Sequence, residues 1–174
     1  MAVQKYITDG SIYIWSLLRL ILGYVFLWAF LDKLFGFGVA TCADKAIGCS
    51  SAWLHGGSPT TGFLGHATSG PFADFYQKLA GHMWVDWAFM LGLLVVGLGL
   101  VLGTWIRLAA GIGVVMLLCM WSALLWPANT PGVDEHIIYA IVLFGIALTA
   151  DHQPWTMRKW WAKTALVKSV PFLK

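Results

Sequence analysis

Residues 12–38 read IYIWSLLRLILGYVFLWAFLDKLFGFG. From Ile12 to Leu31 the only charge is Arg19, and an acid and a base, Asp32 and Lys33, then stand side by side before the apolar character resumes. As a helix rising 1.5 Å per residue, residues 12–31 measure about 30 Å, the thickness of a bilayer's hydrocarbon layer. No water in that layer can bond to backbone groups, so a segment of this kind must satisfy them internally, as a helix. The whole chain agrees. Of its 174 residues 59% are hydrophobic and 11% charged, whereas a soluble domain is about one quarter charged. So few charges cannot cover a surface facing water, and the chain reads as an all-α, polytopic membrane protein.

Working outward, hydropathy predicts a single membrane domain over 1–174 with four spans, at about 12–31, 85–106, 108–126 and 133–150. An outer loop, 32–84, is rich in Gly, Ser and Thr. Near its end PFADFYQKLAG sets Phe72, Phe75, Tyr76 and Leu79 on one face of a short helix, expected to lie on the membrane surface. The turn between the second and third spans falls around Gly103–Arg107. The linker WPANTPGVDE uses two prolines to stop one helix and start the next. Two small-xxx-small pairs, Gly99–Gly103 and Ala109–Gly113, are expected to bring helix backbones close. The first apolar run lacks a convincing cleavage site and is expected to remain as a span.

Four spans put both termini on one side. The tail, 151–174, carries Arg158, Lys159, Lys163, Lys168 and Lys174, and the short second linker adds Arg107. In the long loop Lys45 and Lys78 are offset by Asp44 and Asp74. The positive-inside rule then places both termini in the cytoplasm, and the expected location is the plasma membrane of a prokaryotic cell. Trp155, Trp160 and Trp161 among the basic residues read as an interfacial anchor. A net charge of +3 is too small to imply a nucleic-acid partner.

Ionisable groups at membrane depth each need a reason. Arg19 is expected to snorkel to the nearer headgroups. The opposite ends of three spans carry Asp32 and Lys33, His82 and Asp86, and Asp134, Glu135 and His136. The fourth span has only about fourteen apolar residues, ~21 Å of helix, so its acidic start is expected below the headgroups. One reading makes this layer an ion-paired seal that fixes helix order. The other makes it a polar pocket at the lipid boundary that binds a quinone. A quinone carbonyl needs a donor, and its reduction takes up protons. Lys33, His82, Asp86, His136 and Tyr139 are then the candidate quinone-binding residues, and Asp32, Lys33, Asp134, Glu135 and His136 the candidate catalytic ones. His82, Asp86 and His136 also have the donor types of a zinc or iron site, although their spacing does not demand one. Cys42 and Cys49 in the outer loop are a candidate disulfide, two free thiols or a redox-active pair; Cys119, mid-span, is a packing residue. The three cysteines show no haem-attachment, iron–sulfur or zinc spacing, and no flavin fingerprint stands in the chain.

Four runs carry a resemblance: RLILGYVFLWAFLDKLFGFG, GGSPTTGFL, GLGLVLGTWIRLAAGIG and NTPGVDEHIIYAIVL. In this order and spacing they resemble the DoxX/DoxD group of small four-helix membrane proteins, over roughly Leu18 to Ala150. The resemblance implies a four-helix bundle. For the DoxD branch it implies a membrane subunit of thiosulfate:quinone oxidoreductase, passing electrons from thiosulfate to quinone. Other DoxX-like proteins accompany redox enzymes, so a non-catalytic accessory subunit packed against a larger respiratory complex is the alternative. Thiosulfate is a dianion and wants a cationic receiver, while the expected outer face holds six carboxylates, Asp32, Asp44, Asp74, Asp86, Asp134 and Glu135, against Lys33, Lys45 and Lys78. Electron transfer would then need quinone, the Cys42/Cys49 pair or a partner subunit.

Overall fold

The computed structural model describes residues 9–42, 47–127 and 130–170. Asp44, Lys45 and Lys174 lie outside them. The described residues form helices and loops with no strand: α1 (Asp9–Phe35), α2 (Ala73–Leu79), α3 (Met83–Leu102), α4 (Ile106–Ala123), α5 (Glu135–Thr149), α6 (Arg158–Trp161) and α7 (Ala165–Ser169), with single helical turns at Trp53–His55 and Phe63–Ala67. Three helices, α1, α3 and α4, are long and apolar enough to cross a membrane. The fourth apolar helix, α5, has 15 residues, or ~22 Å of rise.

α1, α3, α4 and α5 pack as a ring, α1 against α3 and α5, and α4 against α3 and α5. Leu22, Phe26, Met90, Val96, Leu100, Leu143 and Ile146 fill its centre. The outside is also apolar: Ile14, Leu17 and Ile21 on α1, Trp87 and Leu91 on α3, Val115 and Leu118 on α4, and Ile141, Phe144 and Leu148 on α5 are exposed. A ring of helices greasy on both faces suits lipid as its solvent.

Lipid offers no hydrophobic drive to press helices together, so close backbone approach matters more. A Cβ on Gly97 would stand 2.8 Å from the Leu27 backbone nitrogen, and one on Gly23 would stand 2.9 Å from that of Val101. Position 23 meets 100–101 while 97 meets 27, so α1 and α3 run antiparallel. On α4, Ala109 fits against Gly99, and Gly113 against Leu143 and Val96. Gly103 is closely approached too, since a Cβ there would stand 2.7 Å from Thr156 Cγ2, and it has a second role. It ends α3 in the left-handed conformation, φ 65°, with its N–H on the Gly99 carbonyl, a backbone state in which a Cβ is strained.

The ring has two dissimilar ends. At the basic end, Met157 N–H donates to the Leu102 carbonyl (2.9 Å), Trp161 packs edge-on against Trp105, and Trp155 lies on Tyr13. At the loop end, α1 continues one turn beyond its expected limit and takes in Asp32 and Lys33. Phe37 then folds back between Trp28 and Phe35, with ring centroids 5.8 and 5.6 Å away. Ser69 N–H donates to the Ala123 carbonyl (2.9 Å), tying the long loop to the end of α4.

Candidate functional site

Arg19 does not snorkel. Its side chain is fully buried, and its Nε donates to Gln153 Oε1 at 2.8 Å. One terminal nitrogen donates to the Leu100 carbonyl, the other to the Trp155 carbonyl at 2.9 Å. Leu100 belongs to the last turn of α3, where helix carbonyls lack partners and the macrodipole is negative. Gln153 is itself oriented by bonds from its amide to Thr149 Oγ1 (2.8 Å) and the Ile146 carbonyl. A single guanidinium thus fastens α1 to the end of α3 and to the chain leaving α5. Nearby, Arg107 and Arg158 both bond the Asp151 carboxylate. Their hydrogen bonds, Arg107 first, hold that carboxyl below its ordinary range despite partial burial.

At the loop end the expected layer of ionisable groups divides into separate fittings. Asp32 is 1% exposed, and its carboxylate accepts backbone N–H groups of Val39 (3.4 Å), Ala40 (3.1 Å) and Thr41 (2.8 Å). Cys42 follows directly and is disulfide-bonded to Cys49. Asp86, buried on α3, accepts from the hydroxyls of Ser58 and Thr60 and from Thr60 N–H. Asp134 caps α5, accepting from His136 N–H at 3.0 Å, and pairs with His136 Nδ1 at 2.8 Å. Asp32 and Asp86 each pin one piece of loop to a helix end, while Asp134 caps its own helix. His82, Glu135 and Tyr139 are exposed. The seven groups therefore do not form one constellation, because Asp32 and Asp86 find their donors in separate parts of the long loop and Asp134 finds its own in the first turn of α5. Nor do His82, Asp86 and His136 converge: among the described residues no three His, Cys, Asp or Glu side chains are grouped to hold a metal.

Lys33 is the exception. Beside it a cavity of about 350 Å3 lies between α3 and α4, walled by Val85, Ala88 and Phe89 on one side and Val115, Met116, Cys119 and Met120 on the other. Pro59, Thr60, Phe63 and Leu64 of the long loop and Tyr76 and Leu79 of α2 close its loop end. The surface stripe expected on α2 is thus split, with Phe72 and Phe75 exposed while Tyr76 and Leu79 serve the cavity. The walls are overwhelmingly apolar. Lys33 has no ion pair or hydrogen bond among the described residues, since the neighbouring Asp32 is turned to its loop. Tyr76 adds a second polar group, its hydroxyl 2.6 Å from Ser122 Oγ. Exposed Trp84, Val115 and Cys119 stand at the opening, on the outside of the ring. An apolar room with one ammonium and one phenol suits a molecule with an apolar body and a carbonyl or anionic head.

His136 was expected beside Lys33 but does not line its cavity and pairs with Asp134 instead; Asp134 and Glu135 line another hollow, between the start of α5 and the Ala67–Ser69 turn. Sequence reading missed Thr60, Tyr76, Met116 and Cys119 as residues lining one cavity with Lys33. The Ser58-Pro59-Thr60-Thr61 run was a usable signal, because Ser and Thr around a proline are apt partners for a helix-end carboxylate.

The fold and its apolar outer face define a helical membrane protein. No protein-family model, no curated protein and no solved structure matches the chain.

Proposed function

We propose that the chain is a four-span plasma-membrane subunit of a quinone-linked, DoxD-like oxidoreductase, and that the Lys33 cavity binds the quinone ring. The observation that carries this reading is the Lys33 side chain, which among the described residues makes no hydrogen bond or ion pair, set in an apolar room that opens on the outer face of the ring. Lys33 donates to one carbonyl, while the Tyr76 hydroxyl, which donates to Ser122 Oγ, adds a polar edge to the cavity wall. Asp32, Asp134 and His136 support the loops, and the electrons come from a partner subunit. α5 crosses as the short fourth span, with the bilayer thinned locally against it. The basic end faces the cytoplasm.

A second reading, a non-catalytic accessory subunit, is favoured by the full occupation of Asp32 and Asp86 in holding loops. Quenching of Trp84 fluorescence by decylubiquinone, in the purified full chain, separates the two. Trp84→Phe identifies the local part of the signal. The quinone reading expects saturable quenching, weakened about ten-fold in Lys33→Met by loss of a charge-assisted hydrogen bond. Equal quenching in Lys33→Met refutes it in favour of the accessory role.

A further inference from the structure

The end of the bundle opposite the cavity has a surface of its own. Residues 103–107 and 150–170 hold Arg107, Arg158, Lys159, Lys163 and Lys168 against one carboxylate, Asp151. Asp151 is committed to the two arginines. The three lysines are exposed and carry no ion pair among the described residues. The segment bearing them is fixed in place: Val167 is fully buried, Trp161 packs on Trp105, and Met157 N–H is bonded to the end of α3. Trp155 and Trp160 face outward, exposed by 58% and 62%. Cations and indoles thus share one edge of a bundle whose adjoining sides are apolar.

We infer that this edge is a docking surface for anionic phospholipid headgroups, with Lys159 and Lys163 meeting the phosphates and Trp155 and Trp160 seated at the headgroup level. Charge complementarity selects the ligand. Among the described residues the lysines have no counter-ion, and an anionic leaflet supplies a dense negative one next to an apolar layer that accepts indole rings. A soluble acidic protein would satisfy the lysines and leave both tryptophans in water. The surface is independent of the quinone reading, since it lies at the other end of the ring.

Native mass spectrometry of the full chain in neutral micelles tests it, with phosphatidylglycerol and phosphatidylcholine of identical acyl chains added together. Phosphatidylglycerol should be retained preferentially, on the order of a hundred-fold, given about five-fold per uncompensated cation. Lys159→Gln/Lys163→Gln should lower that preference about 25-fold and Lys168→Gln about five-fold, on the same scale. Equal retention of the two lipids overturns the proposal, as does an unchanged preference in the double variant. If millimolar inorganic phosphate displaces phosphatidylglycerol completely, the surface is a free-phosphate site, and the lipid assignment fails.

Discussion

Arg19→Met would measure how firmly one guanidinium joins three parts of the bundle. The side chain is 0% exposed and donates to Gln153 Oε1 at 2.8 Å, to the Trp155 carbonyl at 2.9 Å and to the Leu100 carbonyl. Hydrogen bonds from a charged group contribute about 1.5–3 kcal/mol each. These three share one donor group, and its removal also lifts the cost of burying a cation, so the contributions do not add in full. The expected net loss is about 3 kcal/mol. Reversible unfolding in mixed micelles, followed by tryptophan fluorescence, reads it. Hydrogen exchange adds the location: amides of 152–157 should lose protection while those of 39–41 keep it. Arg19→Lys should fall between, because an ammonium lacks the planar fork that reaches separate acceptors. A snorkelling arginine would predict a change within about 0.5 kcal/mol. That result, or unchanged exchange at 152–157, refutes the role assigned to Arg19.

Asp32→Ala removes the acceptor of three loop N–H groups and should cost about 2–4 kcal/mol, with exchange rising at Val39–Thr41 and α3–α4 amides unaffected. Gly97→Ala should cost about 1–3 kcal/mol, since its methyl meets the α1 backbone; Gly111→Ala, which meets nothing within 4 Å, should be neutral or stabilising by the same unfolding assay. Asp151 titrates lower in the folded chain than unfolded, so its pairing with Arg107 and Arg158 stabilises fully above the ordinary carboxyl value of 3.8 and fades as pH falls through the folded value. The pair is exposed and contributes under about 1 kcal/mol. The stability difference between wild type and Asp151→Asn should therefore be flat from about pH 5 to 8 and shrink below about pH 4; a difference that changes through neutral pH would contradict the assignment.

The helical content was legible because composition and run length follow from what the bilayer demands of any chain. Three spans emerged near their expected places, with ends shifted by a few residues. Those shifts came from local geometry that hydropathy does not register: Gly103 stops α3 before the apolar run ends, and α1 continues through Asp32 and Lys33 because the acid finds its donors in the loop beyond. The fourth run is apolar from Ile137 onward, yet its helix is the 15-residue α5, opened by the Asp134 cap.

The candidate site was less legible. Sequence depth put Asp32, Lys33, His82, Asp86, Asp134, Glu135 and His136 at one level. Which of them touch depends on directions around each helix axis and on a loop of about fifty residues whose path hydropathy does not fix. Asp32 and Lys33, adjacent in the chain, show the division. One turns to Val39–Thr41 and becomes a fitting of the fold, while the other lines an apolar room between α3 and α4. Composition and apolar run length determined the solvent, the helices and the rarity of the charges. Only the tertiary structure decided which charge took hydrogen bonds and which, among the described residues, took none, because burial and hydrogen-bond geometry are properties of neighbours brought together from distant parts of the chain.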